Sequence, residues 1–493
     1  MQQPQHVPGP GRLAGPPSVR IAAPRSPACR AVWSRPAALI VAAAAVLLAA
    51  AAVASARQQP APPRLLTQGI AQDPCSPGRV LAVPPGSAGS YLAGSSVLRT
   101  GGGVLSASGV SVPPGGREAA CVRAAAAASR RWLRSGLTPG RGAAELSMSR
   151  RALLDLRLSV RPDGAVLAGW YPHWEYAWPR DSSWAAVALA DSGHPADAFR
   201  ILRFLRRAQS PDGTWAARYR PDGTGPVRDG RPGELDADGW VPWAVWSWAA
   251  AQPAGPAVRR ELAQLWPMVS AAADAAARSL TSDGLPEPAM DYWEESVAVT
   301  LGTAAPLLAG LRAAADLGGQ IGSASARRWA DAAARLSAAI QHAFGRLGYH
   351  RLPFARSGAD AAVAFLGPPF AEPGAGVRRA ALRAQAALTL PAGGLRPGTS
   401  WPGARGVAWT AETASYALFD AAAGLGRRAA GLLSWLAAHR TRLGALPEQV
   451  TPQGRPASVA PLAWTDAGVL LALLAQAHHL PVVPVPPPFV NRG

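Results

Sequence analysis

Two acidic segments place glutamates beside bulky or rigid neighbours. The segments are Asp291-Tyr292-Trp293-Glu294-Glu295 and Leu446-Pro447-Glu448-Gln449. A carboxyl group packed against Trp or Pro loses part of its hydration, and neighbouring carboxylates disfavour a second negative charge. Such surroundings can keep one carboxyl protonated while another stays ionised, which is what paired general acid and base catalysis requires. We therefore expect these two segments to carry the chemistry of the protein.

Both segments lie where Ala-rich helical patterns meet Pro/Gly loops. From Glu118 onward, apolar residues recur at intervals of three and four, which is typical of helices. Helical hairpins are predicted at 183–208 and 413–438. Further helices are predicted at Trp240–Ala251, Ala257–Leu280, Ala298–Leu317, Ala324–Phe344, Val377–Leu388 and Ala463–His479. Paired helices joined alternately by short turns and long loops predict an all-α fold, a closed ring of hairpins with inner and outer helices.

The long loops of such a ring gather on one face, around its mouth. Here they hold most of the aromatic and acidic residues outside helices, and they span 170–181, 219–240, 283–295, 393–409 and 444–454. A cleft of Trp, Arg and carboxylate side chains suits a sugar, because sugar ring faces stack on indole and hydroxyls bond to charged groups.

Four stretches, in order between about residue 145 and 480, resemble the signatures of the glucoamylase-like glycoside hydrolases (family fifteen, which also holds glucodextranases and some trehalases). They are Tyr176-Ala177-Trp178-Pro179-Arg180-Asp181, the Asp291 to Glu295 segment, Gly444-Ala445-Leu446-Pro447-Glu448-Gln449 and Pro461-Leu462-Ala463-Trp464-Thr465. The resemblance implies an (α/α)6 toroid and an exo-acting hydrolase that releases a terminal glucose from an α-glucoside with inversion.

The resemblance assigns the two glutamates different roles. Glu294 would be the general acid that protonates the glycosidic oxygen, and Glu448 the base that activates water, since an inverting site needs one neutral and one ionised carboxyl. Asp291, Glu295 and Trp293 are expected to raise the pKa of Glu294 by like charge and desolvation. Glu448, in a polar loop, has less reason to shift.

The resemblance also assigns a set of sugar-binding residues. Arg180 and Asp181 would hold hydroxyls of the terminal glucose, and Arg396 would be a second sugar-binding arginine. Asp238 falls in another loop near the pocket, with Trp240 or Trp243 as stacking surfaces. The full predicted set is Arg180, Asp181, Trp178, Asp238, Asp291, Trp293, Glu295 and Arg396.

Two departures from the family pattern keep other functions open. Trp174 stands where the family usually has a Tyr near the catalytic water, and an indole can donate but not accept a hydrogen bond. Thr465-Asp466 stands where bacterial relatives commonly have Ser-His. The alternatives are a carbohydrate-binding barrel with little or no hydrolysis, and a trehalase of the same fold.

Composition excludes several other classes. The chain has 493 residues, 49% of them hydrophobic, and a formal charge of +19. The basic residues are scattered rather than gathered in a stripe, so we predict no nucleic-acid partner. The histidines lack the spacing of a metal-binding helix and no Gly-rich phosphate loop follows a strand, so we predict neither a metal nor a cofactor. Oligomeric state is left open.

The N-terminal part predicts a location outside the cytoplasm. Residues 1–36 are basic, and 37–56 form an uncharged segment of membrane length, either a transmembrane signal anchor or a signal peptide cleaved after Ala56. Residues 57–117 are predicted to form a Pro/Gly/Ser-rich linker or small β region, 118–482 the catalytic domain and 483–493 a Pro-rich tail. The catalytic domain would then be membrane-tethered and extracytoplasmic, or secreted.

An oxidising compartment would permit a disulfide in this part of the chain. Cys75 and Cys121 are the cysteines beyond the membrane segment. They would either pair, tying the region after the membrane segment to the start of the main domain, or remain two free thiols. The sequence favours neither alternative.

Overall fold

The computed structural model describes residues 63–107, 116–223 and 225–486, which belong to the compact unit Pro60–Gly493. The predicted basic region, the membrane segment 37–56 and residues 487–493 of the predicted tail lie outside the described residues. None of the helices in the described ranges combines the length and apolar character needed to cross a bilayer. The membrane segment and the location outside the cytoplasm therefore stay predictions.

Helices are the main regular structure of the described chain. They are α1 Gly116–Arg134, α2 Ala143–Ser159, α3 Pro179–Asp191, α4 Pro195–Ala208, α5 Ala237–Ala250, α6 Pro256–Arg278, α7 Leu301–Gln320, α8 Ala326–Ala343, α9 Ala375–Leu388, α10 Thr410–Ala422, α11 Gly426–Ala438 and α12 Ala463–Ala477. Two short 3₁₀ helices, Gly345–Leu347 and Ala361–Leu366, lie between α8 and α9. The prediction of a helix-rich fold is confirmed.

Six inner elements pack side by side and close a ring. In order they are α3, α5, α7, the 3₁₀ helix Ala361–Leu366, α10 and α12, and α12 packs back onto α3. Each has an outer helix against it: α4, α6, α8, α9, α11 and α2. This arrangement is consistent with an (α/α)6 toroid in which one inner member is a 3₁₀ helix, a member that the apolar periodicity did not predict.

Burial explains the two layers. Residues of the inner helix α3 are buried from Pro179 to Ala190, because neighbours cover it on every side. Its outer partner α4 buries only Ala198, Ile201, Leu202, Phe204 and Leu205, which recur at helical spacing on one face. The centre of the ring is filled by interlocking aromatic rings, including Trp184, Trp240, Trp243, Phe365, Phe370 and Trp464.

The region before α1 forms small sheets that lie against the later loops. The strands β1 Gly69–Gln72 and β2 Val80–Val83 pair antiparallel, and β3 Ser90–Tyr91, β4 Leu98–Thr100 and β5 Gly103–Val104 form a second sheet. Just before β1, the backbone of Leu66 donates to the carbonyl of Ser458 at 2.7 Å, and Thr67 Oγ1 accepts from the amide of Ala460 at 3.0 Å. This segment therefore supports the loop that follows Glu448.

Two glycines let the inner helices α5 and α7 approach closely. A Cβ at Gly310 would lie 2.5 Å from the Cα of Gly239, and a Cβ at Gly239 would lie 2.1 Å from the carbonyl oxygen of Pro306. Backbone atoms cannot move aside as flexible side chains do, so any side chain here forces the helices apart.

We predict that Gly310→Ala lowers the free energy of unfolding by about 1–3 kcal/mol, the usual range for overpacking a close helix contact. The matched control is Gly319→Ala in the same helix, where a Cβ meets nothing within 4 Å. There the higher helix propensity of Ala should leave the protein unchanged or stabilise it by up to about 1 kcal/mol. Urea denaturation measures both. Equal effects of the two substitutions would contradict the close-packing account.

The cysteine pair gives a second prediction. Cys75 and Cys121 are both free, and the pKa of the Cys75 thiol rises to about 11 because the Cys121 side chain hydrogen-bonds to it. We expect mild oxidation to join them, with a gain of roughly 4 kcal/mol from closing this loop. Urea denaturation with and without reductant measures the gain. Cys75→Ser should abolish the difference, and an unchanged midpoint on oxidation of the wild type would contradict the pairing.

Candidate active site

One cavity of about 380 Å³ collects residues from five loops and from the starts of the inner helices. Its volume is within the range of small-molecule sites. The lining residues are Ala168, His173, Trp174, Trp178, Arg180, Asp181, Arg218, Arg231, Tyr292, Trp293, Glu294, Pro397, Trp401, Trp409, Ala411, Glu412, Glu448, Leu462 and Trp464. Both glutamates singled out from the sequence are among them. So are Arg180, Asp181, Trp178 and Trp293.

Glu448 is fixed from both sides of its carboxylate. Trp174 Nε1 donates to Oε1 at 3.1 Å, and the Ser458 hydroxyl donates to Oε2. The backbone is fixed as well, because its carbonyl accepts from the amide of Thr410, at the start of α10, at 3.0 Å. Directly after Glu448, the strand β7 Gln449–Val450 pairs with β6 Ala408–Trp409 and with β8 Pro456–Ala457.

The pKa of Glu448 differs from the sequence expectation. Burial raises it above the usual 4.5, and the hydrogen bonds from Ser458 and Trp174 lower it in part. The loop that we expected to be polar instead packs against β6 and the segment before β1, which leaves the Glu448 side chain only partly exposed. A raised pKa makes an ionised carboxylate a stronger base.

Glu294 lies nearer the mouth, with about a quarter of its side chain exposed. Trp178 Nε1 donates to Oε1 at 3.2 Å, and Arg231 forms an ion pair with Oε2. Its backbone amide donates to the carbonyl of Asp291 at 2.8 Å in a tight turn. Its φ of 55° is in the left-handed region, which a non-glycine residue adopts only at a cost and which is enriched at functional sites.

Arg180 and Asp181 lie at the buried N-terminus of α3. The Arg180 guanidinium donates to Glu234 at 2.5 Å and to Asp236 at 3.1 Å, and it stacks 5.1 Å from the ring centre of Trp464. Burial raises the pKa of Asp181 to about 6, although Arg180 opposes the shift. Because one terminal nitrogen of Arg180 is committed to two carboxylates, Asp181 is the freer of the pair to meet a ligand.

Asp291 does not line the cavity, contrary to the sequence prediction. It is fully buried and accepts from Arg351 at 2.8 Å and from the amide of Trp293 at 3.0 Å. The Arg351 guanidinium stacks 3.7 Å from the ring centre of Trp293. Asp291 therefore acts on the site indirectly, by fixing the turn that carries Trp293 and Glu294.

Three more predicted binding residues lie away from the cavity. Asp238 is buried within α5 and lines a separate cavity of about 240 Å³. Glu295 is exposed to solvent beyond the turn. Arg396 donates to the carbonyl of Ala387, in α9, at 3.3 Å. Trp240 and Trp243, proposed as stacking surfaces, are core residues of the ring centre.

The structure adds cavity residues that the motifs did not indicate. Trp401 and Trp409 form an aromatic wall with Trp293, since Trp401 lies nearly perpendicular to both rings, with ring centres 5.0 and 5.2 Å apart. Arg231 comes from the 219–240 loop, Arg218 lies just before that loop, and Glu412 comes from α10. Within the described ranges, no group of three or more His, Cys, Asp and Glu side chains is arranged to hold a metal ion.

Comparison with known proteins agrees with this architecture. A glycosidase variant in complex with glucose matches with a TM-score of 0.60 and 22% identity over 69% of this chain and 99% of that one. A bacterial glucoamylase in complex with acarbose matches with a TM-score of 0.60 and 16% identity, over 74% of this chain and 60% of that one. A Saccharomycopsis fibuligera glucoamylase matches with a TM-score of 0.53 and 13% identity, over 64% of this chain and 89% of that one.

Sequence comparison reaches less of the chain. An uncharacterised glycosyl hydrolase of Methanocaldococcus jannaschii is 30% identical over 79 residues, which are 16% of this chain and 13% of that protein. No family model matches. The predicted resemblance to glucoamylase-like glycosidases is confirmed in the structure: the chain has their fold.

Proposed function

We propose that the protein is a glycoside hydrolase that releases a terminal glucose from an α-glucoside with inversion. The observation that carries the proposal is the meeting of Glu294 and Glu448, 154 positions apart in the numbering (448 − 294), in one cavity of aromatic and charged side chains. In an inverting reaction, an acid protonates the leaving oxygen while a base activates water on the opposite face of the sugar.

The depth of each carboxyl supports the assignment of roles. Glu294, at the mouth, is placed to reach a glycosidic oxygen whose leaving group extends toward solvent. Glu448 is anchored deeper by Trp174 and Ser458, and its raised pKa suits a base. Trp178 holds the Glu294 carboxyl in place.

The same gradient supports exo action. The side chains of Arg180 and Asp181 are each 6% exposed, against 26% for Glu294 and 32% for Arg231. A sugar bound between Glu294 and the Arg180–Asp181 end of the cavity would therefore be the last residue of its chain. The Trp293, Trp401 and Trp409 wall offers ring faces to that sugar.

One observation favours a second candidate, a carbohydrate-binding barrel with weak hydrolysis. Arg231 pairs with the Glu294 carboxylate, and an ion pair stabilises the charged form rather than the protonated acid. Hydrolysis requires this pair to open when substrate arrives. A panel of maltose, isomaltose, trehalose and dextran separates the candidates: binding without glucose release favours the barrel, and turnover of trehalose alone favours a trehalase of the same fold.

Substitution of either glutamate tests the catalytic assignment. We expect Glu294→Gln and Glu448→Gln each to lower kcat roughly 10²–10⁴-fold, the usual contribution of a general acid or base. The matched control Glu295→Gln, next to Glu294 but exposed, should keep wild-type turnover. Proton NMR of the first product should show the β-anomer. Full turnover in either cavity variant, or an α-anomer from the wild type, would refute the mechanism.

The acid limb of the pH profile tests the role of Glu448 separately. A base must be ionised, so kcat/KM should fall as pH drops through the pKa of Glu448, which is above 4.5. The hydrogen bond from Ser458 lowers the pKa of Glu448. The backbone of Ser458 has a φ of 61°, which glycine adopts without strain. Ser458→Gly should therefore move the acid limb to higher pH, and Trp174→Phe should do the same. A limb that stays in place or moves to lower pH in both variants would rule Glu448 out.

A further inference from the structure

Besides Asp181, Glu294 and Glu448, a fourth carboxyl group lines the cavity and has no part in the mechanism above. Glu412 is 4% exposed, and its Oε2 lacks a hydrogen-bond partner among the described residues. Buried polar atoms are nearly always hydrogen-bonded, because leaving one without a partner costs the hydration that it gave up. An unpartnered oxygen on a carboxyl side chain that lines a ligand cavity therefore calls for an explanation.

Helix capping explains only part of this placement. Glu412 lies in the first turn of α10, where its own backbone amide hydrogen-bonds to the carboxyl and the helix dipole favours an acidic residue. A solvent-exposed carboxylate would serve that purpose without losing its hydration. The second oxygen of Glu412, which capping does not use, is the one that needs a partner.

The backbone holds Glu412 and Glu448 in a fixed relation. The amide of Thr410 donates to the carbonyl of Glu448 at 3.0 Å, and the hydroxyls of Thr410 and Thr465 lie 2.7 Å apart. These contacts join the start of α10 to the Glu448 loop and to α12. The backbone that carries Glu412 is therefore fixed relative to Glu448.

The surroundings of Glu412 favour its protonated form. The pKa of Glu412 is raised to about 8, chiefly by burial and also by the charges of Glu448 and Asp360, while the hydrogen bond from its own backbone amide and the charge of Arg180 oppose the rise. Tyr292 also lies near, but its own pKa is well above 10. At neutral pH Glu412 is thus a neutral carboxylic acid, which can donate as well as accept a hydrogen bond.

We propose that Glu412 is a substrate-binding residue whose protonated carboxyl donates a hydrogen bond to a hydroxyl of the terminal sugar, beside Glu448. The inference rests on the proposed function and adds a specificity-determining contact to it. Glu448 must be ionised to act as a base and can then only accept hydrogen bonds, so a neutral acid beside it supplies a donor where an additional carboxylate would repel the base.

Two variants of similar size separate binding from structure. Glu412→Gln keeps a donor, and Glu412→Leu removes it while filling the same space. Glucose affinity is measured by the tryptophan fluorescence of the cavity at pH 6.5 and 9.5. We expect the Gln variant to bind within about threefold of wild type at pH 6.5, and the Leu variant to bind about tenfold or more weakly, the effect of one lost hydrogen bond to a ligand. The glucose affinity of the wild type should decrease from pH 6.5 to pH 9.5, and that of the Gln variant should decrease less.

Thermal unfolding distinguishes this role from a structural one. Replacing this buried carboxyl, one oxygen of which lacks a partner, with Leu should leave the melting temperature unchanged or higher, so weak binding with retained stability supports the proposal. A Leu variant that binds glucose as wild type does would overturn it while leaving the proposed function intact. A wild type that neither binds nor hydrolyses any saccharide would overturn the proposed function, and this inference with it.

Discussion

The buried guanidinium of Arg180 is the interaction on which the cavity depends. It joins the N-terminus of α3 to Glu234 and Asp236 before α5, and it stacks on Trp464 of α12. Removing either side of such a cluster leaves an uncompensated buried charge, which costs roughly 3–5 kcal/mol. The inner elements α3, α5 and α12 are therefore fixed relative to one another where the cavity is deepest. The positions of the loops attached to these helices depend on that arrangement.

Around this fixed base, the structure gives each carboxyl a different environment. Asp181 and Glu412 are buried with raised pKa values, and Glu448 is half-buried and hydrogen-bonded by Trp174 and Ser458. Glu294 is at the mouth and has a φ of 55°. The hydrogen bond from Arg351 to Asp291 stabilises the turn that carries it. The proposed chemistry follows from these different environments, because they separate the pKa values of the carboxyls and so allow one to act as acid and another as base.

The sequence predicted what is local. Glu294 and Glu448 are each flanked by Trp or Pro in a loop between helices, and that context, together with the resemblance to the glycosidase signatures, singled them out without a structure. Asp238, Trp240 and Trp243 were misplaced because α5 is apolar on all sides, so its sequence does not show which face meets the cavity. Glu412 and Arg231 were missed for the opposite reason: a glutamate in the first turn of a helix and an arginine in a loop look ordinary until long-range packing brings them to the cavity. The 3₁₀ helix Ala361–Leu366 is too short for a helical period to be recognised.

The most direct test of the central claim is a crystal structure of the protein with glucose bound. The account predicts one sugar in the cavity with its anomeric carbon between the two carboxyls. Glu294 should lie on the mouth side, and Glu448 should contact a water on the opposite face, with a carboxyl separation of about 6.5–9.5 Å. Glucose bound outside the cavity, or both carboxyls on the same face of the sugar, would contradict it.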